Sequence, residues 1–193
     1  LTLITPQAVS HPLGDYLAER SGAWAHEIAP AFLSERLSGF AFAPLPFSRA
    51  LRRARPDLIQ LDEEPPSLAA LQTLWLSRRL GARLIFFTWE NLPARYPLPF
   101  SLVRRLVLAG AAGAIAGNTA ASDLLRRDGF RQPLAVIPQL GVDAGIFAQR
   151  PAVALRDRLG LDCFTVGYVG RLVAEKGLFT LLDALGRLAG AWR

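Results

Sequence analysis

Short apolar runs alternate with longer amphipathic stretches along almost the whole chain, the rhythm of βαβ units built on a parallel sheet. The runs are Leu1 to Thr5, Asp57 to Leu61, Arg83 to Thr88, Ala112 to Gly117, Leu134 to Pro138 and Phe164 to Gly170. Between them the spacing predicts helices over Ser67 to Leu80, Phe100 to Ala109, Thr119 to Asp128 and Leu178 to Ala189. Leu84-Ile85-Phe86-Phe87 is apolar on both alternations, so helices should cover both faces of its sheet. Asn118-Thr119 offers an N-cap and a helix start, and Gly129 a stop.

Residues 149–163 hold Pro151 and the charged stretch Leu155-Arg156-Asp157-Arg158-Leu159, and read as an interdomain linker. The expected organisation is an α/β, Rossmann-like domain over 1–148, a linker over 149–163, and the first βα unit of a second Rossmann-like domain over 164–193. About 30 residues cannot bury a core of their own, so the second domain is expected to continue past Arg193. With no Met in the sequence and an apolar opening at Leu1, the chain reads as a piece of a longer protein.

Composition narrows the class. The 193 residues are 51% hydrophobic and 20% charged, which excludes a disordered chain. The single cysteine, Cys163, cannot form an intrachain disulfide, and His11 and His26 lack zinc-ligand spacing, so a reducing, cytoplasmic setting and no metal are expected. The apolar stretch from Leu106 to Gly117, broken by glycines, is shorter than the roughly 18 residues of a membrane span. The formal net charge is +6, yet Lys176 is the only lysine, and the arginines fall in pairs such as Arg52-Arg53, Arg78-Arg79, Arg104-Arg105 and Arg126-Arg127. Within helical stretches these read as solvated faces rather than a nucleic-acid surface. Arg104-Arg105 beside Leu102, Val103 and Leu106 also fits a basic amphipathic helix in peripheral contact with the inner face of a membrane.

The most informative stretch runs from Phe164 to Gly177: a buried strand, a turn carrying Arg171 and Lys176, and a glycine opening a helix. That helix places Leu178, Leu181, Leu182, Leu185 and Leu188 on one stripe, which should lie on a sheet. A helix N-terminus at the carboxyl edge of a parallel sheet attracts anions, and the two cations would add to it. On spacing alone, solvated loop charges remain an equal reading.

Gly170-Arg171-Leu172-Val173-Ala174-Glu175-Lys176-Gly177, followed by a leucine-rich helix, resembles the second-domain motif of family-four retaining glycosyltransferases, which have the two-domain GT-B fold. Val136-Ile137-Pro138-Gln139-Leu140-Gly141-Val142-Asp143 is similar to the segment leading out of that family's first domain, where Pro-Asn-Gly-Val-Asp is usual; here Gln139-Leu140 replaces the Asn. The resemblance implies that the chain starts after the first strand, glycine-rich loop and helix of the first domain. It also implies that Gly170, Arg171 and Lys176 meet the diphosphate of a nucleotide-sugar donor, with no metal and no cofactor beyond that substrate. Cations fixed there would offset charge growing on the leaving phosphate.

In the first domain the strand Arg83 to Thr88 ends at Trp89-Glu90-Asn91, and polar residues at such an end face the ligand crevice of an α/β fold. Many family members have His where Glu90 stands, so Glu90 is expected to be catalytic, as a hydrogen-bond acceptor or charge stabiliser facing the sugar, against an ordinary loop carboxylate. Asn91, Asn118, Glu63 and Trp89 are acceptor or cleft candidates, Trp89 as a stacking platform. Asp62-Glu63-Glu64 before the helix at Ser67 can meet an acceptor hydroxyl or simply stabilise that helix's N-terminus, the plainer reading. Gly110-Ala111-Ala112-Gly113 lacks dinucleotide-site order and reads as close helix packing. His11, expected in a loop, and His26, in an irregular stretch, read as surface or core residues, and Trp24, Trp75 and Trp192 as packing.

The expected function is glycosyl transfer from a nucleotide-sugar to an unknown acceptor, retaining by family resemblance, with the present chain inactive by itself. The alternatives are a sugar-nucleotide epimerase of the same fold and a non-catalytic basic domain that docks on membrane or polymer.

Overall fold

The computed structural model describes residues 1–6, 8–11, 14–17, 25–32, 41–148 and 153–188. The chain divides between Gly141 and Val142 into two units. The first contains β1 (Thr2–Pro6), β2 (Ala8–His11), β3 (Gly14–Leu17), β4 (Ala25–Ala29), β5 (Ala31–Phe32), β6 (Ala41–Phe42), α1 (Pro44–Ala54), β7 (Leu58–Leu61), α2 (Leu68–Leu80), β8 (Arg83–Thr88), α3 (Phe100–Gly110), β9 (Gly113–Ala116), α4 (Thr119–Arg127) and β10 (Leu134–Val136).

Four strands form one all-parallel sheet in the order β10-β9-β8-β7, and β1 pairs in parallel with β4 in a separate two-stranded sheet. The fold is α/β, with parallel sheets flanked by helices. Strand β8 lies inside its sheet and is buried on both alternations from Phe86 to Thr88. Among the described residues strand β7 bonds β8 alone, and Leu58 is exposed.

The helices begin and end where local chemistry dictates. Ser67 caps α2 by accepting from the Ala70 amide at 3.1 Å, and Gly81 closes it in the left-handed region at φ 71°. Leu74 and Ala70 of α2 join Leu84, Phe86, Val103, Val107 and Phe130 in one core, where Phe130 meets Phe86 edge-on. Ala69 and Leu76 of the same helix join Ala29, Phe42, Phe47 and Leu51 in a second. Burying a side chain such as Phe86 fully contributes about 1.5–3 kcal/mol.

Two expectations near the start change. His26 sits in β4, not an irregular stretch, and its Nε2 lies 2.8 Å from Thr5 Oγ1 across the β1–β4 pair. His11 belongs to β2, which forms an antiparallel hairpin with β3, rather than to a loop. Trp24 and Trp192 lie outside the described residues.

The second unit carries α5 (Val153–Leu159), a 3-10 turn (Ala174–Lys176) and α6 (Leu178–Leu185). Helix α5 falls inside the stretch read as a linker. Of the strand expected over Phe164 to Gly170, the structure shows a single bridge residue, Phe164. Helix α6 stops at Leu185, with Gly186 as its C-cap, short of the expected Ala189. None of its residues is buried, so the leucine stripe does not lie on a sheet among the described residues.

Candidate functional site

The parallel register aligns Leu61 with Phe86 and Thr88 with Ala116, so the residues following β7, β8 and β9 gather at one sheet edge. Leaving β7, the chain enters Asp62-Glu63-Glu64 and reaches the α2 cap at Ser67; leaving β8, it enters Trp89-Glu90-Asn91. Glu64 ties these exits together. Its carboxylate accepts from the buried Thr88 hydroxyl at 2.5 Å and from the Trp89 amide at 2.8 Å, while Thr88 Oγ1 accepts from the Glu90 amide at 3.1 Å.

Over this edge opens a cavity of about 640 Å³. Asp62, Glu63, Glu64, Ser67 and Gln139 supply its polar wall, and Phe87, Trp89, Tyr96, Phe100 and two prolines its apolar one. The Trp89 indole is held on three sides. One face packs on Gly117, its N–H donates to Gln139 Oε1 at 2.8 Å, and Phe87 meets it edge-on with centroids 5.6 Å apart. Burial pushes the Glu63 carboxyl up to about 7, reinforced by the negative charges of Glu64 and Asp62 and opposed by a hydrogen bond with Ser67. Burial also raises Glu64, against the hydrogen bonds from Thr88 and Trp89. A carboxyl that titrates near neutrality can give or take a proton from a bound hydroxyl.

Glu90 follows β8 at the same sheet edge. It does not line the cavity; its carboxylate accepts from the Tyr96 hydroxyl and pairs with Arg104 Nη2 at 3.4 Å. The same Arg104 nitrogen reaches Asp128 at 2.6 Å. Burial, and then the bond to Glu90, hold the Tyr96 hydroxyl well above the usual phenol range, so it stays a donor. Asn91 is exposed and away from the cavity, and Asn118 caps α4 by accepting from the Ala121 amide at 2.8 Å. Of the first-unit candidates, the structure brings Glu63 and Trp89 together at the cavity and leaves Glu90, Asn91 and Asn118 outside its lining.

Sequence reasoning missed Tyr96, Arg104 and Gln139 as parts of this region. Gln139 carried a signal: with Leu140 it replaces the Asn of the Pro-Asn-Gly-Val-Asp pattern, and it holds the indole. Arg104 is 14% exposed and bound to two carboxylates, which removes it from the lipid-facing role considered for Arg104-Arg105. The close-packing reading of Gly110 fits its surroundings, since a Cβ there would meet Leu74 Cδ1 at 2.9 Å. Trp75 is half exposed, with the Arg79 guanidinium 3.6 Å above its ring. No metal-holding group of three His, Cys, Asp or Glu side chains occurs among the described residues, and no helix among them is long and apolar enough to cross a membrane.

In the second unit Arg171 and Lys176 are exposed, on either side of the segment that turns into α6. The Tyr168 hydroxyl donates to the Arg171 carbonyl at 2.7 Å. Gly177, at φ 72°, ends the 3-10 turn and starts α6, a conformation that favours glycine.

No protein-family model matches this chain, and no curated protein matches it in sequence. Among solved structures it is similar to HepE from Anabaena, crystallised in complex with UDP, with a TM-score of 0.64 and 24% identity. The match covers 75% of this chain and 41% of HepE, so the chain spans less than half the length of that protein. The likeness is one of fold.

Proposed function

We propose that this chain carries parts of a glycosyltransferase that uses a nucleotide-diphosphate sugar, with acceptor binding in the first unit and diphosphate binding in the second. The observation that carries the reading is the cavity at the carboxyl edge of a parallel sheet, in a fold shared with a protein solved with UDP bound. The sequence motif from Gly170 to Gly177 supports it independently.

In this reading Arg171 and Lys176 neutralise the diphosphate, and Gly170 keeps the adjacent backbone free of a side chain. As the glycosidic C–O bond breaks, charge grows on the leaving phosphate while the sugar becomes cation-like, and fixed cations favour that change. Retention and independence of metal rest on the family resemblance. Trp89 offers a face to an acceptor ring, and Glu63 exchanges a hydrogen bond or proton with its hydroxyl. Glu90 acts as a positioning residue: it receives the Tyr96 hydroxyl and so holds an aromatic wall of the cavity.

Calorimetric titration with UDP tests the diphosphate assignment. Arg171→Ala or Lys176→Ala removes a charge-assisted contact of about 1.5–3 kcal/mol, which weakens UDP roughly ten- to hundredfold. Glu63→Gln should leave UDP affinity unchanged. Wild-type affinity in both cation variants overturns the assignment.

A further inference from the structure

The first-unit cavity is selective in its charge as well as in its shape. We propose that it admits a polyol acceptor that is uncharged or carries an amine, and excludes one bearing a phosphate or carboxylate at the bound end. The inference rests on the reading of this cavity as the acceptor site and adds the acceptor's chemical class.

Among the described residues, none that lines the cavity is Lys, Arg or His, whereas Asp62, Glu63 and Glu64 all contribute. Arg104 is not among the lining residues and is paired with Glu90 and Asp128. At the positive end of α2 the cap Ser67 bonds the Glu63 carboxyl, its amide donates to the Glu64 carbonyl, and the first-turn Ala70 amide donates to Ser67 Oγ. An anion brought here would meet like charge, with no lining cation among the described residues to offset it, which costs binding strongly in a partly desolvated site.

The groups left for a ligand point to a hydroxylated ring. Both Glu64 oxygens are used by Thr88 and Trp89, and the indole N–H is used by Gln139. Beyond the bond Glu63 makes with Ser67 and the one Asp62 Oδ1 accepts from Gln60 at 3.2 Å, these two carboxylates keep lone pairs for hydroxyl or ammonium donors, and the Gln139 amide nitrogen can donate. The exposed part of Trp89, backed by Gly117, is a flat apolar surface for the C–H face of a sugar ring. The volume of about 640 Å³ lies within the range of about 300–1,000 Å³ usual for small-molecule sites.

Saturation-transfer NMR at pH 8 with four probes tests this: methyl glucoside, aminoethyl glucoside, glucuronate and glucose 6-phosphate. The neutral and amino probes should bind at least about tenfold more tightly than either anion. Asp62→Asn combined with Glu63→Gln, checked for folding by circular dichroism, should shrink that gap to about threefold or less, and Trp89→Ala should abolish binding of the neutral probe. Equal or tighter binding of the anions by wild type overturns the proposal, as does an unchanged gap in the double variant or no binding by any probe. UDP titration of the same sample separates the two readings. Normal UDP binding with failed sugar discrimination removes this inference alone, and sugar discrimination without UDP binding removes the nucleotide-sugar reading while the cavity's specificity stands.

Discussion

The indole of Trp89 lies against the backbone of Gly117, so close that a methyl group on Gly117 would stand 2.6 Å from ring carbon Cε3. Only glycine fits there without moving the ring. Gly117→Ala should therefore displace Trp89, break its bond to Gln139 and cost about 1–3 kcal/mol of stability. Tryptophan fluorescence should shift toward that of a solvated ring, and an unchanged spectrum with unchanged melting temperature would show that the ring has room to yield.

Glu63 makes stability depend on pH. Its folded pKa, about 7, lies above the ordinary value of 4.5, so the folded state holds the proton more tightly than the unfolded one. Stability from this group is greatest below pH 4.5, falls as pH rises toward 7, and then stays lower, by on the order of 1–3 kcal/mol. Glu63→Gln should raise the melting temperature at pH 8 and leave it nearly unchanged at pH 4.5. An equal gain at both values would mean that Glu63 is not desolvated as described.

Arg104 and Arg105 are neighbours in sequence with opposite fates. Arg104→Ala leaves Glu90 and Asp128 without their shared cation and should destabilise the protein by about 3 kcal/mol. Arg105, exposed on α3, should change stability by no more than about 0.5 kcal/mol when replaced by Ala. Denaturant melts of the two variants check this, and equal losses would contradict the ion-pair geometry.

Asn118 is a cap by geometry, and its variants can show whether it is anything more. Asn118→Ala should cost about 1 kcal/mol, while Asn118→Ser or Asn118→Asp should restore most of it by accepting from the same amide. If serine restores stability but ligand binding at the cavity still falls, Asn118 has a second role.

What the sequence made legible follows from how strongly each segment speaks locally. Strand β8 falls at Arg83 to Thr88 as expected, since an unbroken apolar run buried on both faces has few other readings. The caps at Ser67 and Asn118 fix α2 and α4 to within a residue or two. Strand β4 was hidden because Ala25-His26-Glu27 carries polar groups that a partly exposed two-stranded pair tolerates. Helix α1 begins with Pro44 and Pro46 and carries four closely spaced arginines counting its C-cap Arg55, so composition masks an apolar face made by Phe47, Ala50 and Leu51. At the candidate site, Glu63 and Trp89 were visible because strand ends are where crevices form. The pairing of Glu90 with Tyr96 and Arg104 was not, because it depends on a fourteen-residue return of the chain onto α3 that no local spacing encodes.

Helix α2 presents apolar side chains to two cores at once, Ala70 and Leu74 to one and Ala69 and Leu76 to the other, and Ile59 of β7 touches both. A wall shared in this way cannot loosen on one side without unsealing the other. The β1–β4 pair and the four-stranded sheet should accordingly lose their amide protection together as one cooperative unit, so that the small sheet, too short to persist alone, takes its lifetime from the large one.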